Sequence, residues 1–114
     1  MRPQKNDILQ GTLVLLVLRT LATNGRMHGY AITAHIQRVS AERLRVEEGS
    51  LYPGLHRMAQ EGWLKAEWGV SQANQRAKFY NLTPEGKKQL VREESRWAQL
   101  VNAIGLVMKP RTED

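Results

Sequence analysis

Several absences bound what this 114-residue chain can do. It has no cysteine, so disulfide bonds, thiolate nucleophiles and cysteine-ligated metals are excluded, a composition that suits a reducing compartment. It also lacks a long hydrophobic run: the longest strictly apolar stretch is Leu13 to Leu18, far short of the roughly 20 residues that span a bilayer. The opening MRPQKNDIL is basic but has neither an extended apolar region nor a small-residue cleavage site, so no secretory signal is evident. These features lead us to expect a soluble, cytoplasmic protein with no membrane partner.

The chemistry of enzymes is equally thin. No nucleophile elbow, glycine-rich phosphate loop or Ser/His/Asp arrangement is present. His28 and His35 fall on one predicted helix, about two turns and some 10 Å apart, too far to share one ion, and His56 is on another element. Glu47-Glu48 and Glu93-Glu94 are adjacent in sequence, so each pair diverges on a helix surface. No catalytic residue, metal site or cofactor is expected.

What the chain does have is positive charge. Its net charge is +6. Residues 1–83 carry 11 Lys/Arg and 6 Asp/Glu, whereas residues 84–114 carry 6 and 5. The excess therefore lies in the first three-quarters and points to a polyanionic partner there, a merely soluble basic surface being the plainer alternative.

Residues 8–23 are dense in Leu and Val on nearly all sides and predict a buried helix that Asn24-Gly25 stops. HGYAITAHIQRVS predicts an amphipathic second helix with Tyr30, Ile32, Ile36 and Val39 at helical spacings. Leu44 to Val46 reads as a minor strand. In EEGSLYPGLHRMAQEG, Ser50 is placed to cap a third helix, with Pro53 in its first turn and Leu51, Leu55, Met58 and Ala59 as its buried stripe. WLKAEWGV and KFYNLT alternate and are joined by a polar loop over about 69–76, a β-hairpin with an extended tip. Thr83-Pro84-Glu85 then starts a long helix, Thr83 as cap and Pro84 at its first position.

Three helices followed by a hairpin is the plan of a winged helix-turn-helix. The fold expected is mainly α with a small β-hairpin, plus one long carboxy-terminal helix. In that plan the third helix packs one face on the first two and offers the other to the major groove of DNA. Tyr52, His56 and Arg57 lie off its apolar stripe with groups suited to phosphates or base edges, and N–H groups beside Ser50 would form an anion site. Arg76 and Lys78 at the hairpin tip would lie along the flanking backbone. Tyr52 can also be read as packing at a helix boundary with its hydroxyl in water.

Set in heptads, the last helix places Leu90, Glu93, Trp97, Leu100, Ile104 and Val107 on one seam, widened by Val101 and Met108. A three-helix domain cannot cover so long a helix, so a partner helix is expected. Trp97 is either packing or one wall of a flat pocket between subunits.

HGY (28–30), EEGSLYPGLHRMAQEGWL (47–64), RAKFYNLTPEG (76–86) and the single terminal helix together resemble the PadR family of bacterial transcriptional regulators, in its compact form. The likeness runs from about Ile8 to Val107. It implies a homodimeric winged-helix protein, typically a repressor, that binds roughly palindromic double-stranded DNA. By position it implies DNA contacts from Tyr30, Ser50, Tyr52, Pro53, His56, Arg57, Arg76 and Lys78, with the last helix building the dimer through Leu90, Trp97, Leu100, Val101, Ile104 and Val107. It also implies an interface pocket for a small aromatic or phenolic effector at Trp97. The expected division is residues 1–83 for DNA binding and 84–114 for dimerisation. The alternative function is a winged-helix module that binds another protein through its wing or third helix.

Overall fold

The leucine-rich segment forms helix α1 (Leu13–Asn24), which buries Leu13, Val17, Leu18 and Leu21. It ends where Gly25 takes φ +80°, its N–H donating to the Leu21 carbonyl. The computed structural model describes residues 11–110, so the expected start of this helix at residue 8 lies outside the described residues. The chain continues as β1 (Met27–His28), α2 (Gly29–Val39), α3 (Glu48–Gln60), β2 (Leu64–Val70), β3 (Arg76–Leu82) and α4 (Pro84–Met108). This is the winged-helix order read from the sequence, and the fold is mainly helical.

The small sheet is antiparallel in the order β1-β3-β2. Its third strand is not at 44–46, as expected, but at Met27–His28, which pairs with Tyr80 and Phe79. The reason is local. Ala41 and Glu42 take positive φ of 55° and 68°, and the Ser40 hydroxyl accepts from the Leu44 N–H at 3.0 Å. The chain is thereby bent, and Val46 enters the core as a single buried residue. In β2 and β3, pairing runs from Leu64 with Leu82 to Val70 with Arg76, leaving 71–75 as the hairpin loop.

One core unites these elements. Leu13, Val17 and Leu18 of α1 meet Ile32 and Ile36 of α2, Leu51, Leu55 and Met58 of α3, then Leu64, Tyr80 and Leu90. In α2 the buried stripe is narrower than the spacing suggested: Tyr30 and Val39 are 71% and 64% exposed. Gly54 explains how α1 and α3 come so close. A Cβ there would stand 2.9 Å from Leu13 Cδ2, so the helix-weakening glycine is where one helix meets another's side chain.

The TPEG corner joins wing to last helix. Thr83 Oγ1 accepts from the Gly86 N–H at 2.9 Å and donates to the Gly62 carbonyl at 2.6 Å. A Cβ on Gly86 would lie 2.1 Å from the Trp63 carbonyl oxygen, so only glycine fits against β2's start. From there α4 docks on α1, with Leu90 buried and Arg19 paired with Glu94. Beyond Glu94 every residue of α4 is exposed, and the helix projects from the body.

Candidate nucleic-acid interface

The HGY segment places three residues with three purposes. His28 Nδ1 accepts from the Ala31 N–H at 3.3 Å and caps α2. Its ring stands edge-on to Phe79 with centroids 5.3 Å apart. Gly29 is buried against Tyr52: a Cβ there would meet the Tyr52 ring at 2.7 Å and its hydroxyl at 2.9 Å. Tyr30 is then left open to solvent. The Tyr52 ring packs at a helix boundary, against Gly29, as its packing reading expects, while the residue stays 44% exposed.

Helix α3 begins earlier than the sequence suggested. Glu47, not Ser50, occupies the cap position, and it makes no side-chain cap bond. The Ser50 and Leu51 N–H groups both donate to the Glu47 carbonyl, at 3.0 and 2.9 Å. Those two donors are therefore used within the helix, and the first-turn N–H groups lie at Glu48 and Gly49 instead of after Ser50. Pro53 sits inside the helix rather than in its first turn. The bond it cannot give leaves the Gly49 carbonyl without that donor, a loss water can repair because Gly49 is exposed. The exposed face of α3 carries Tyr52, Pro53, His56, Arg57 and Gln60, while Ser50 is half-buried. Carboxylates stand at both ends, Glu47 at the cap and Glu48 in the first turn, with Glu61 just after the last.

An open groove runs between α2 and the inner face of the wing. It brings together Tyr30, Tyr52, Arg76 and Lys78 from the expected contacts. Ser50, Pro53, His56 and Arg57 do not line it and stand apart on α3. Arg26, Arg38 and Trp68 also line it, and among the described residues no aspartate or glutamate does. Arg26 lies 3.9 Å over the Phe79 ring and pairs with Glu67 at 3.2 Å. Arg76 and Lys78 stand 4.6 and 5.9 Å from the centroid of Trp68. Burial, and then the neighbouring Tyr52 hydroxyl, pushes the Tyr80 phenol above its ordinary 10.0 at the groove's floor.

Sequence reasoning missed Trp68, grouping it with Leu64 and Ala66 on one side of β2. That grouping is correct for the face but not for burial: Leu64 is 3% exposed and Trp68 57%, because the strand runs past the core into the wing. Its register opposite Lys78 was the available signal. Nothing in the local sequence marked Arg38, which reaches the groove only through the turn of α2 that follows Ala31 and Ala34.

A second, small crevice of about 50 Å³ lies where α4 leaves the body, lined by Thr12, Leu15, Glu93, Trp97 and Leu100. Trp97 is 46% exposed, so it is not core of the single protomer. Glu93 is held by Gln89 at 2.7 Å and by Arg96 at 3.2 Å. Leu100, Val101, Ile104 and Val107 continue outward as an exposed apolar face. Among the described residues no group of three or more metal-ligating side chains occurs, and no helix is long and apolar enough to cross a membrane.

The model of the PadR-like transcriptional regulator family matches residues 17–92. This chain belongs to that family. The PadR-like match takes in the helices of the winged body, the wing and the first turns of α4. The chain is 31% identical over 83 residues to a transcriptional regulator of Mycobacterium tuberculosis, covering 73% of its own length and 74% of the relative's. It is 38% identical over 90 residues to an uncharacterised 37.1 kDa transposon protein of Streptomyces fradiae, covering 79% of its own length but spanning only 24% of that relative. Among solved structures, a transcriptional regulator from Clostridium thermocellum superposes with TM-score 0.81 at 26% identity, covering 90% of this chain and 99% of that one. A PadR family regulator from Eggerthella lenta gives TM-score 0.77 at 28% identity, with coverages of 92% and 88%.

Proposed function

We propose that this PadR-like regulator is a homodimeric repressor that binds a pseudo-palindromic DNA operator. The observation that carries the reading is the groove between α2 and the wing, reached from α3 by Tyr52, which holds cations and, among the described residues, no carboxylate. The exposed face of α3 enters the major groove, where Tyr52, His56 and Arg57 meet bases or phosphates. Arg76 and Lys78 hold the adjoining backbone, and Tyr30, Ser50 and Pro53 complete the contact surface. Residues 1–83 serve DNA binding and 84–114 serve dimerisation, although Leu90 packs within the common core.

The dimer is proposed to form along the projecting half of α4. Leu100, Val101 and Ile104 are each about half exposed on one protomer, an apolar stripe at helical spacing that a second helix would cover. Leu90, at the near end of the seam, is already covered by its own protomer, and Val107 lies at the far end. Deleting residues 95–114 spares the core and should leave a folded monomer by sedimentation, with operator affinity lost. A truncated protein that still dimerises and binds tightly would place the interface elsewhere.

Release from the operator is assigned to a small aromatic or phenolic compound stacking on Trp97. The half-exposed indole beside Leu15, Leu100 and Glu93 supports it. Such a compound should quench Trp97 fluorescence and change operator affinity by a coupling of about 1–3 kcal/mol. Quenching without any change in affinity would reduce the crevice to a bystander.

A further inference from the structure

We infer that the groove between α2 and the wing clasps one phosphodiester strand of the duplex, with Arg38 and Trp68 as additional contacts. The inference rests on the DNA-binding reading above and extends it to residues outside the third helix and the outer wing.

Charge argues for it first. Helix α3 carries the single arginine Arg57 between Glu47 and Glu48 at its start and Glu61 at its end, so its net charge does little to attract a polyanion. The groove has the opposite character. Among the described residues no carboxylate pairs with the groove's Arg38, Arg76 or Lys78, and of the arginines and lysines lining it Arg26 alone has such a partner, Glu67. Unneutralised cations facing one cleft match a row of phosphates.

Shape and polarity argue for it second. On the wing's inner face Trp68 extends beyond the core, with the Arg76 guanidinium 4.6 Å and the Lys78 amine 5.9 Å from its ring centre. An indole with cations beside it suits a sugar–phosphate chain, the apolar deoxyribose on the ring and the phosphate on the charges. Across the cleft α2 presents Ala31 and Ala34 between the larger Tyr30 and His35. Arg38 follows on the same helical face. Its Nη2 lies 3.3 Å from His35 Nδ1, and His35 Nε2 lies 3.3 Å from Asn24 Nδ2. Asn24 Nδ2 in turn donates to the Thr20 carbonyl. Arg38 thus stands at the end of a chain of contacts rooted in α1.

The test uses the full chain and a mixed-sequence duplex, with affinity measured across a salt series. Arg38→Gln should lower the log–log salt slope by about one unit, as expected for one lost phosphate contact. Trp68→Ala should weaken binding about fivefold or more and leave the slope unchanged, because the indole neutralises nothing. Both residues are exposed, so folding is preserved, and Arg92→Gln on α4 serves as the matched charge control with wild-type behaviour. If the wild type binds with strong salt dependence but Arg38→Gln keeps its full slope, or Trp68→Ala keeps its affinity, the clasp is wrong and DNA binding stands. If the wild type shows no salt-dependent binding, the DNA reading itself falls.

Discussion

The exposed face of α3 and the groove beside it are neighbours that share Tyr52, yet they differ in nearly every physical respect. The helix face is one contiguous segment, displays Tyr52, His56 and Arg57, and has carboxylates at both ends. The groove is assembled from α2, the end of β1 and both wing strands, and no carboxylate lines it among the described residues. In the proposed complex, attraction and discrimination are therefore divided. Cations that face phosphates raise affinity for every sequence alike, while groups aimed at base edges separate one sequence from another. A surface carrying acids can serve the second purpose, because a poorly attractive helix binds only where its contacts fit.

The strongest challenge to that division is to empty the wing of charge. The double variant Arg76→Gln/Lys78→Gln should lose about two units of salt slope and weaken operator and random DNA in parallel. Loss confined to the operator, in a filter-binding series on both duplexes, would show that the wing reads sequence. Arg57→Ala comes next. It should cost about 1–3 kcal/mol on the operator and much less on random DNA if its guanidinium reaches a base. Equal losses on both would make Arg57 one more phosphate contact and erase the contrast.

A change of opposite sign follows. Glu48→Gln removes a carboxylate from the first turn of α3 and should tighten binding to all duplexes by less than about 1 kcal/mol, most visibly at low salt. Weaker binding would mean that Glu48 itself makes a favourable contact. The smallest effect concerns the groove floor. The Tyr80 phenol, raised by burial and then by Tyr52, stays protonated in the fold after an unfolded chain's phenol has ionised near 10.0. Its contribution to stability is complete below that pH and is lost as pH rises toward the folded value. Thermal melts should show the wild type falling more steeply than Tyr80→Phe above pH about 10. Parallel curves would leave Tyr80 ionisation without influence.

The same contrast explains what was legible in the sequence. Helices α1, α3 and α4 and the hairpin announce themselves through apolar spacing and through punctuation such as Asn24-Gly25 and Thr83-Pro84. Ser50 misled because a good capping residue was present while the backbone had already turned helical at Glu48. The strand expected at 44–46 failed because sheet edges are tertiary property: the place beside β3 belongs to Met27–His28, some fifty residues away in sequence. Half the groove was readable for a similar reason. Tyr52, Arg76 and Lys78 sit in recognisable local settings, whereas Arg38 and Trp68 acquire meaning only when α2 and the wing stand face to face.

Helix α4 carries a mechanical consequence. It is one unbroken rod from Pro84 to Met108, about 37 Å long at 1.5 Å per residue, anchored in the body at Gly86 and Leu90. In the proposed dimer it is a lever whose pivot lies near Trp97. A tilt of about 10° would sweep one end by roughly 6 Å relative to the other, a large fraction of the separation between successive phosphates along a strand. Two such levers, joined at their outer halves, would convert a small wedge at the pivot into a mismatch between the paired reading heads and a half-site spacing of about 34 Å. In that proposed dimer, a rigid arm of this kind would shift the reading heads without unfolding any part of the winged body.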